Sequence, residues 1–263
     1  MIKNDFHTHT TYCDGKNTPE EMVLAAIEKG MECYGFSGHA YTPGEELYCM
    51  SHEGTIRYQK EVRRLKDKYS GKLKIYLGVE LDYHSTGTRE GFEYFIGSVH
   101  YFARDGMKFP VDESPDIFSS VVSEVFGGDY YAAAENYYSY VGDVLRRTGA
   151  DIIGHFDLIT KFNEGGRLFD TRHPRYVAAW QQAADRLLRY GKPFEINTGA
   201  ITRGYRTLPY PEADIIDYIG ERGGSFILSS DSHAAGSLMY GFEEWEAYVT
   251  DKGYNLLDMP KKW

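Results

Sequence analysis

Residues 2–10 read Ile2-Lys3-Asn4-Asp5-Phe6-His7-Thr8-His9-Thr10, and residues 17–21 read Asn17-Thr18-Pro19-Glu20-Glu21. The first stretch has the character of a short β-strand. The second predicts the start of a helix, because a capping residue precedes a proline at the first helical position and acidic residues in the first turn. The helix is expected to end near Gly30, a natural terminator. The sequence therefore opens with a strand that leads directly into a helix.

The same alternation continues along the rest of the chain. Apolar runs predict further strands at 33–38, 74–81, 95–99, 151–154, 193–197 and 225–229. Helical patterns occupy about 54–69, 129–148, 174–190, 211–222 and 237–252. Residues 101–128 carry Gly, Pro and acidic residues without clear periodicity, and we interpret them as an insertion loop. Strands separated by helices indicate parallel βα units, and hence an α/β barrel or a doubly wound sheet.

The composition is typical of a globular protein. Of 263 residues, 42% are hydrophobic and 26% are charged, and no linker divides them, so we predict one domain spanning 1–263. A net charge of −10 argues against broad binding to nucleic acid, which requires basic surfaces. We find no secretory signal and no apolar run that could cross a bilayer. The three cysteines show no CxxC spacing, and their odd number argues against a disulfide framework, so we predict a cytoplasmic protein. We also expect no membrane attachment and no obligate protein partner.

Histidines mark the ends of the predicted strands. Of the nine histidines, those at or just beyond a strand end are His7, His9, His39, His100, His155 and His233. The carboxyl ends of parallel strands meet on one face of an α/β fold, so these side chains are expected to lie together. His7 and His9 are two residues apart on a strand and point to the same side, and Asp231 and His233 repeat that spacing. The pattern predicts a metal site.

Three carboxylates complete the predicted ligand set. Glu80 lies in an otherwise apolar strand, where an ionised carboxylate is costly unless it binds a cation or forms a salt bridge. Asp14 follows His9 in a loop, where a role in a turn is the alternative. Together with Asp231 and the six histidines they supply nine ligands, whereas a site for one ion needs three or four. We therefore predict two or three divalent ions, with Zn²⁺, Mn²⁺ or Fe²⁺ all suited to imidazole and carboxylate ligands.

Taken together, these motifs resemble the polymerase and histidinol phosphatase (PHP) superfamily along essentially the whole chain. The resemblance rests on His7-Thr8-His9-Thr10, Ser37-Gly38-His39, Gly78-Val79-Glu80, Gly97-Ser98-Val99-His100, Gly154-His155-Phe156-Asp157, Glu195-Ile196-Asn197-Thr198 and Ser229-Ser230-Asp231-Ser232-His233. Residues 154–162 (GHFDLITKF) and 195–198 (EINT) look most like the histidinol-phosphate phosphatase branch. The resemblance implies a distorted (β/α)7 TIM-like barrel, with a trinuclear metal site at the carboxyl ends of its strands.

The resemblance also implies how the ligands divide among three ions. One ion would be held by His7, His9, Glu80 and Asp231, a second by Glu80, His100 and His155, and a third by Asp14, His39 and His233. Some family members carry a histidine at the position of Asp14. Glu80 would bridge the first two ions.

Hydrolysis of a phosphomonoester needs an activated water, neutralisation of the phosphoryl oxygens and a proton for the leaving alkoxide. We predict that a hydroxide bridges the two ions that share Glu80. Asp231 or His233 would give a proton to the departing alcohol. Lys161 and Arg203 follow predicted strands and are predicted phosphate contacts, with solvated surface charges as the alternative.

L-histidinol phosphate, in histidine biosynthesis, is the substrate that the branch implies. Its amine and imidazole need acidic or aromatic partners, for which Glu195, Tyr12 and Tyr41 are candidates. Glu195 has the alternative of a buried hydrogen-bond anchor. Two other classes stay open: a related phosphoesterase acting on nucleotides or phosphotyrosine, and an amidohydrolase-type C–N hydrolase, which also begins with two histidines on a barrel strand.

Overall fold

The computed structural model describes residues 2–259 and is built from alternating strands and helices. The strands are β1 Asn4–Asp5, β2 Cys33–Phe36, β3 Lys74–Asp82, β4 Tyr94–Ser98, β5 Tyr101–Arg104, β6 Met107–Pro110, β7 Ile152–Ile153, β8 Phe194–Asn197, β9 Ser225–Ser229 and β10 Asn255–Leu256. The helices are α1 Pro19–Glu28, α2 His52–Tyr69, α3 Pro115–Phe126, α4 Tyr130–Val141, α5 Val144–Thr148, α6 Pro174–Leu188, α7 Gly199–Thr202, α8 Ala213–Glu221 and α9 Phe242–Asp251.

Eight parallel strands form the central sheet in the order β1-β2-β3-β4-β7-β8-β9-β10. The sheet curls so that the chain following β1 meets the chain following β9. Beyond β1 and β9, the N–H of His9 donates to the carbonyl oxygen of Ser232 at 2.8 Å, and the N–H of Ser232 donates to that of His7 at 3.2 Å. The short β10 pairs in parallel with the first two residues of β9, at the amino-terminal end of that strand. The predicted α/β fold with a distorted barrel is confirmed, and β10 is an addition to the seven predicted strands.

The first helix begins as its sequence predicts. The Thr18 hydroxyl accepts a hydrogen bond from the N–H of Glu21, and the Glu21 carboxylate accepts one from the N–H of Thr18. This reciprocal pair satisfies two N–H groups that a helix start otherwise leaves without partners. Pro19 occupies the first position, and the chain leaves the helix at Gly30 with a φ of 70°. The loop before α1, which carries several predicted ligands, is thereby fixed at its carboxyl end.

The interpretation of residues 101–128 as an insertion loop is wrong. Strands β5 and β6 form an antiparallel hairpin, and α3 follows it with Phe118 and Val122 buried in the core. The hairpin turns through Asp105 and Gly106, which have φ angles of 52° and 78°. An Asp-Gly pair suits a two-residue turn of this kind. The four-residue strands on either side are too short for an alternating pattern to stand out, which is why the sequence reads as irregular.

Close packing inside the barrel fixes the strand that carries Glu80. The buried Tyr94 ring lies against β2 and β3, where a Cβ on Gly78 would come within 2.2 Å of it. Its hydroxyl lies 2.6 Å from the carbonyl oxygen of Phe6 and 2.9 Å from that of Phe36. Glycine at position 78 is therefore required for Tyr94 to link three neighbouring strands just below the site.

Two predictions on the chain as a whole stay predictions. Within residues 2–259, none of the helices combines the length and the apolar character needed to cross a bilayer, and the cytoplasmic location is not tested by that finding. The single domain over 1–263 is likewise untested. Residue 1 and residues 260–263 of that range lie outside the described residues.

Candidate metal centre

The predicted metal ligands converge on Glu80, which is buried in β3. Its side chain lies within 3.7 Å of five histidines that come from four other parts of the barrel. Glu80 Oε1 is 3.1 Å from His155 Nε2 and 3.6 Å from His100 Nε2, and Oε2 is 2.8 Å from His39 Nδ1, 3.3 Å from His7 Nε2 and 3.7 Å from His9 Nε2. The carboxylate therefore occupies the middle of the histidine cluster.

Asp231 and Asp14 extend the cluster on either side of His9. Asp231 Oδ1 lies 3.1 Å from Nε2 of His9, and Asp14 Oδ1 lies 3.5 Å from Nδ1 of the same ring. Asp14 Oδ2 is also 3.1 Å from His233 Nε2. The residues His9, Asp14, His39 and His233 offer ligand atoms that all lie within 4.8 Å of one another, the arrangement needed to hold a metal ion. All nine predicted ligands are thus brought together.

Several atoms of the cluster are buried without a hydrogen bond in the described part of the chain. They are Nε2 of His7, Nε2 of His9, Oδ1 of Asp14 and Oε2 of Glu80. Leaving a buried polar atom without a partner costs about 1–3 kcal/mol. Carboxylate oxygens and neutral imidazole nitrogens carry lone pairs, and a divalent cation would satisfy several of them at once. The residues present fit a metal centre.

A layer of carboxylates and amides beneath the cluster orients the histidines. Glu195 Oε1 lies 2.6 Å from His7 Nδ1, and its Oε2 accepts hydrogen bonds from the N–H of His155 at 2.8 Å and from Asn197 Nδ2 at 2.9 Å. On the other side, Asp82 Oδ2 accepts from the N–H of His100 at 2.9 Å and lies 3.1 Å from its Nδ1. Such contacts fix the ring orientation of metal-binding histidines.

The prediction that Glu195 contacts the substrate does not fit its position. Its side chain is fully buried, and both oxygens are used within the protein. The alternative of a buried hydrogen-bond anchor describes it. Tyr12 and Tyr41 are absent from the wall of the cavity that opens onto the cluster. The Tyr12 ring packs 5.8 Å from that of Tyr58, and the Tyr41 ring packs 4.2 Å from that of His52.

A cavity of about 370 Å³ opens onto the cluster. Its wall includes the predicted ligands Asp14, His39, Glu80, His100, His155, Asp231 and His233 and the predicted phosphate contacts Lys161 and Arg203. His7 and His9 are fully buried behind them. A cavity of this size is in the range used for small-molecule ligands.

Both predicted phosphate contacts are held by hydrogen bonds at the cavity wall. Arg203 donates through Nη2 to Asp231 Oδ2 at 3.0 Å and through Nη1 to His233 Nδ1 at 2.7 Å. Lys161 donates to the carbonyl oxygen of Asp112 at 2.7 Å and to its Oδ2 at 3.2 Å. Two cationic side chains therefore stand beside the metal-capable cluster.

Further polar residues line the cavity away from the cluster. They are Glu45, Tyr48, Tyr101, Asp112 and Glu113. Sequence reasoning missed them, since three lie in the segment interpreted as a loop. The Asp-Gly pair that turns the hairpin is the signal that would have placed Tyr101 and Asp112 near His100, because it folds the chain back on itself directly after β4.

Comparison with known proteins decides the family. Residues 5–199 match the PHP domain family, a range that contains seven of the nine clustered residues. The chain belongs to the PHP family. A relative from Schizosaccharomyces pombe named "Probable histidinol-phosphatase" is 28% identical, over 97% of this chain and 89% of its own length.

Two solved structures share the fold of this chain. A structure from Listeria monocytogenes has a TM-score of 0.80 and 22% sequence identity, and the alignment covers 92% of this chain and all of that one. The histidinol phosphate phosphatase of Lactococcus lactis, complexed with zinc, L-histidinol and phosphate, has a TM-score of 0.72 and 22% identity. That alignment covers 97% of this chain and 95% of the other.

The charge states of the PHP cluster suit cation binding. Burial would raise the pKa of Glu80, but the neighbouring histidines, above all His7, hold it well below its usual range. Burial also opposes ionisation of Asp231, whose pKa is lowered well below its usual range by Arg203. Burial lowers the pKa of His9 to about 3. Ionised carboxylates and a neutral imidazole are the forms that coordinate metals.

Metal binding is expected to release protons at neutral pH. Burial would lower the pKa of His100, but Asp82 and Glu80 raise it to about 9, so the metal-free ring is protonated at pH 7. The ring must lose a proton before Nε2 can coordinate an ion, and the apparent metal affinity should therefore rise as the pH is raised toward 9. Titration calorimetry in buffers of different ionisation enthalpy measures the released protons. Heats that do not depend on the buffer would contradict this prediction.

The substitution Glu195→Gln is expected to weaken metal binding by about 10–100-fold. The amide has one acceptor oxygen in place of two, so either His7 Nδ1 or the N–H of His155 loses its partner. Competition with a chromophoric chelator measures the affinity. Glu135→Gln, at an exposed ion pair with Arg175, is the matched control and should bind metal like the wild type. An unchanged affinity in Glu195→Gln would show that the contact with His7 has no orienting role.

Proposed function

We propose that this PHP protein is a metal-dependent phosphomonoesterase that hydrolyses L-histidinol phosphate to L-histidinol and phosphate. One observation carries the proposal: a single cavity is lined both by seven of the nine clustered residues and by the cationic side chains of Lys161 and Arg203. Seven residues of the cluster form groups that could hold a metal ion. The substrate is supported by relatives named as histidinol-phosphatases that align over nearly the whole chain. It is further supported by the Lactococcus structure, whose ligands are zinc, L-histidinol and phosphate.

We assign two or three divalent ions, of Zn²⁺, Mn²⁺ or Fe²⁺, to the cluster. The family resemblance divides the ligands into three groups, and the short contacts of Glu80 with His155 and of Asp14 with His233 agree with that division. The 2.8 Å contact between Glu80 Oε2 and His39 Nδ1 crosses it, because the resemblance gives His39 to the third ion. When bound, such ions lower the pKa of a coordinated water and neutralise charge on phosphoryl oxygens. Glu80 is the residue best placed to contact two ions, because its two oxygens face different histidines.

The chain's own side chains supply the rest of the chemistry. Arg203 presents a planar group able to make two parallel hydrogen bonds to phosphate, and Lys161 adds a second positive charge. Asp231 and His233 line the same cavity beside Arg203. His233 can hold the proton that the departing alcohol oxygen of the substrate needs, whereas the low pKa of Asp231 keeps that carboxyl group ionised.

The organic part of the substrate would lie against the outer wall of the cavity. Histidinol carries an amine and an imidazole, which acidic and aromatic side chains can bind. Glu45, Asp112 and Glu113 supply the carboxylates there, and Tyr48 and Tyr101 supply the rings. These residues take the place of Glu195 and Tyr12 in the proposed recognition.

A phosphate-release assay tests the proposal. Metal-loaded protein is given histidinol phosphate, a nucleoside monophosphate or phosphotyrosine, and each reaction is repeated after chelation. We expect metal-dependent release that is fastest from histidinol phosphate. Equal rates on all three substrates would contradict the substrate assignment, and no release with any of the three metals would contradict the phosphatase function.

A further inference from the structure

Two chain segments carry the cationic side chains that face the cavity, and a buried arginine joins them. One segment follows β7 and contains Lys161, and the other follows α7 and contains Arg203. Arg206 is 3% exposed. Its Nη1 bonds to the hydroxyl of Thr160, the residue before Lys161, and its Nη2 donates to Glu212 Oε1 at 3.0 Å.

A buried carboxyl group, that of Asp157, adds further hydrogen-bond contacts between the two segments. Asp157 Oδ2 accepts a hydrogen bond from the N–H of Glu212 at 3.0 Å and lies 3.5 Å from the Thr160 hydroxyl. Asp157 is fully buried. A buried polar group is costly unless it is hydrogen-bonded, so these contacts among Arg206, Thr160, Asp157 and Glu212 favour one separation of the two segments.

Short stretches of chain connect this hydrogen-bonded network to both cavity-facing cations, Lys161 and Arg203. Tyr205, next to Arg206, places its ring centroid 4.5 Å from Lys161 Nζ. The N–H of Tyr205 donates to the carbonyl oxygen of Ala200 at 3.0 Å, which closes the turn that contains Arg203. A shift of Arg206 would therefore move Lys161 and Arg203 relative to each other.

We propose that Arg206 is a positioning residue that fixes the separation of Lys161 and Arg203 and so sets the affinity of the cavity for phosphate. Arg206 is absent from the cavity wall and acts through the other two residues. The proposal rests on the proposed function, because it takes the cavity to bind a phosphate group. A lysine at this position would keep the positive charge beside Asp157 but could not bond to Thr160 and Glu212 with a planar fork.

The test is Arg206→Lys in metal-loaded protein. Titration calorimetry with inorganic phosphate and steady-state kinetics with histidinol phosphate are the measurements. We expect the Kd for phosphate and the KM to rise together by about 10-fold, since small displacements of binding groups have effects of this size or larger. The fall in kcat should be smaller, metal content should match the wild type, and the thermal midpoint should fall because buried hydrogen bonds are lost. A residue needed only for stability would change the midpoint and leave Kd and KM as they were.

Arg175→Lys is the matched control, because it makes the same chemical change at an exposed residue bonded to Asp129 and Glu135. It should leave Kd and KM unchanged. If Arg206→Lys does not fold, Thr160→Val tests the same link by removing the hydroxyl that Arg206 holds, and the same rise in Kd is expected.

Unchanged Kd and KM in the folded Arg206→Lys protein, or in Thr160→Val, would overturn the positioning role. The proposed function would still stand in that case, provided that the metal-loaded wild type binds phosphate. A wild-type protein that binds no phosphate when loaded with metal would overturn the proposed function, and the role of Arg206 with it. The two failures are therefore distinguishable.

Discussion

Glu80→Gln is expected to lower kcat/KM for histidinol phosphate by about 10³-fold, at the upper end of the range for removing one stabilising electrostatic contact from an active site. Glu80 is 1% exposed, and its two oxygens face histidines on opposite sides of the cluster. Glutamine keeps the shape of the side chain but removes the charge and replaces one oxygen with an amide nitrogen, which cannot coordinate a cation. Kinetics and elemental analysis of the purified variant measure the two effects, and both activity and metal content should fall.

The metal-free variant provides a second, independent result. The pKa of His7 is raised above its usual value by Glu195 and Glu80, although burial opposes this. A raised histidine pKa contributes stability below its unfolded value of about 6.5 and loses that contribution as the pH rises through the folded value. Removing the charge of Glu80 should therefore destabilise the metal-free protein most below about pH 6.5. Thermal unfolding with chelator present, compared between pH 5.5 and pH 9, measures the difference.

Glu135→Gln is the control for both results, because Glu135 loses the same charge at an exposed ion pair with Arg175. It should keep the metal content and kinetics of the wild type. Full activity and full metal content in Glu80→Gln would contradict the central place given to Glu80 in the metal centre.

The sequence was sufficient to predict features that depend on local patterns. The helix start at Thr18 and Pro19 needs only neighbouring residues, and the structure confirms it. The gathering of His7, His39 and His155 needs only that parallel strands end on one face, which the alternation of strands and helices already implies. For this reason a parallel α/β fold and the cluster were both accessible from the residues, whereas the choice of a barrel over a doubly wound sheet came from the family resemblance.

Features that depend on contacts between distant segments were not accessible in this way. Glu195 lies in the motif region expected to bind substrate, yet its side chain points below the cluster to a histidine 188 residues away in sequence. The bond from Arg206 to Thr160 spans 46 residues between two irregular segments. No periodicity constrains the direction of such side chains, because loops lack the fixed side-chain geometry of a strand or helix. The hairpin at Asp105 was missed for a different reason: its turn signal is present, but its strands are very short.

Arg203→Ala is expected to lower kcat/KM by about 10²-fold, within the range for removing one charged donor from a reacting group. Arg203 is 28% exposed at the cavity wall, so a bound phosphate can reach it, and it also bonds to Asp231 and His233. Its loss should therefore raise KM through weaker phosphate binding and lower kcat through misplacement of both neighbours. Steady-state kinetics at saturating metal are the measurement, and metal analysis shows how far the misplacement of these two ligands also weakens metal binding.

The pH profile separates this role from a simple loss of packing. Burial raises the pKa of Asp231, and Arg203 is the neighbour that lowers it most. Without Arg203 the carboxyl group should take up a proton at a higher pH, so the decline of activity on acidification should begin at a higher pH than in the wild type. Arg203→Lys keeps a positive charge but not the planar fork, and it should restore the acid side of the profile more fully than it restores KM. If Arg203→Ala leaves KM, kcat and the pH profile unchanged, Arg203 has no part in binding phosphate, and Lys161 alone would have to supply the positive charge on that side of the cavity.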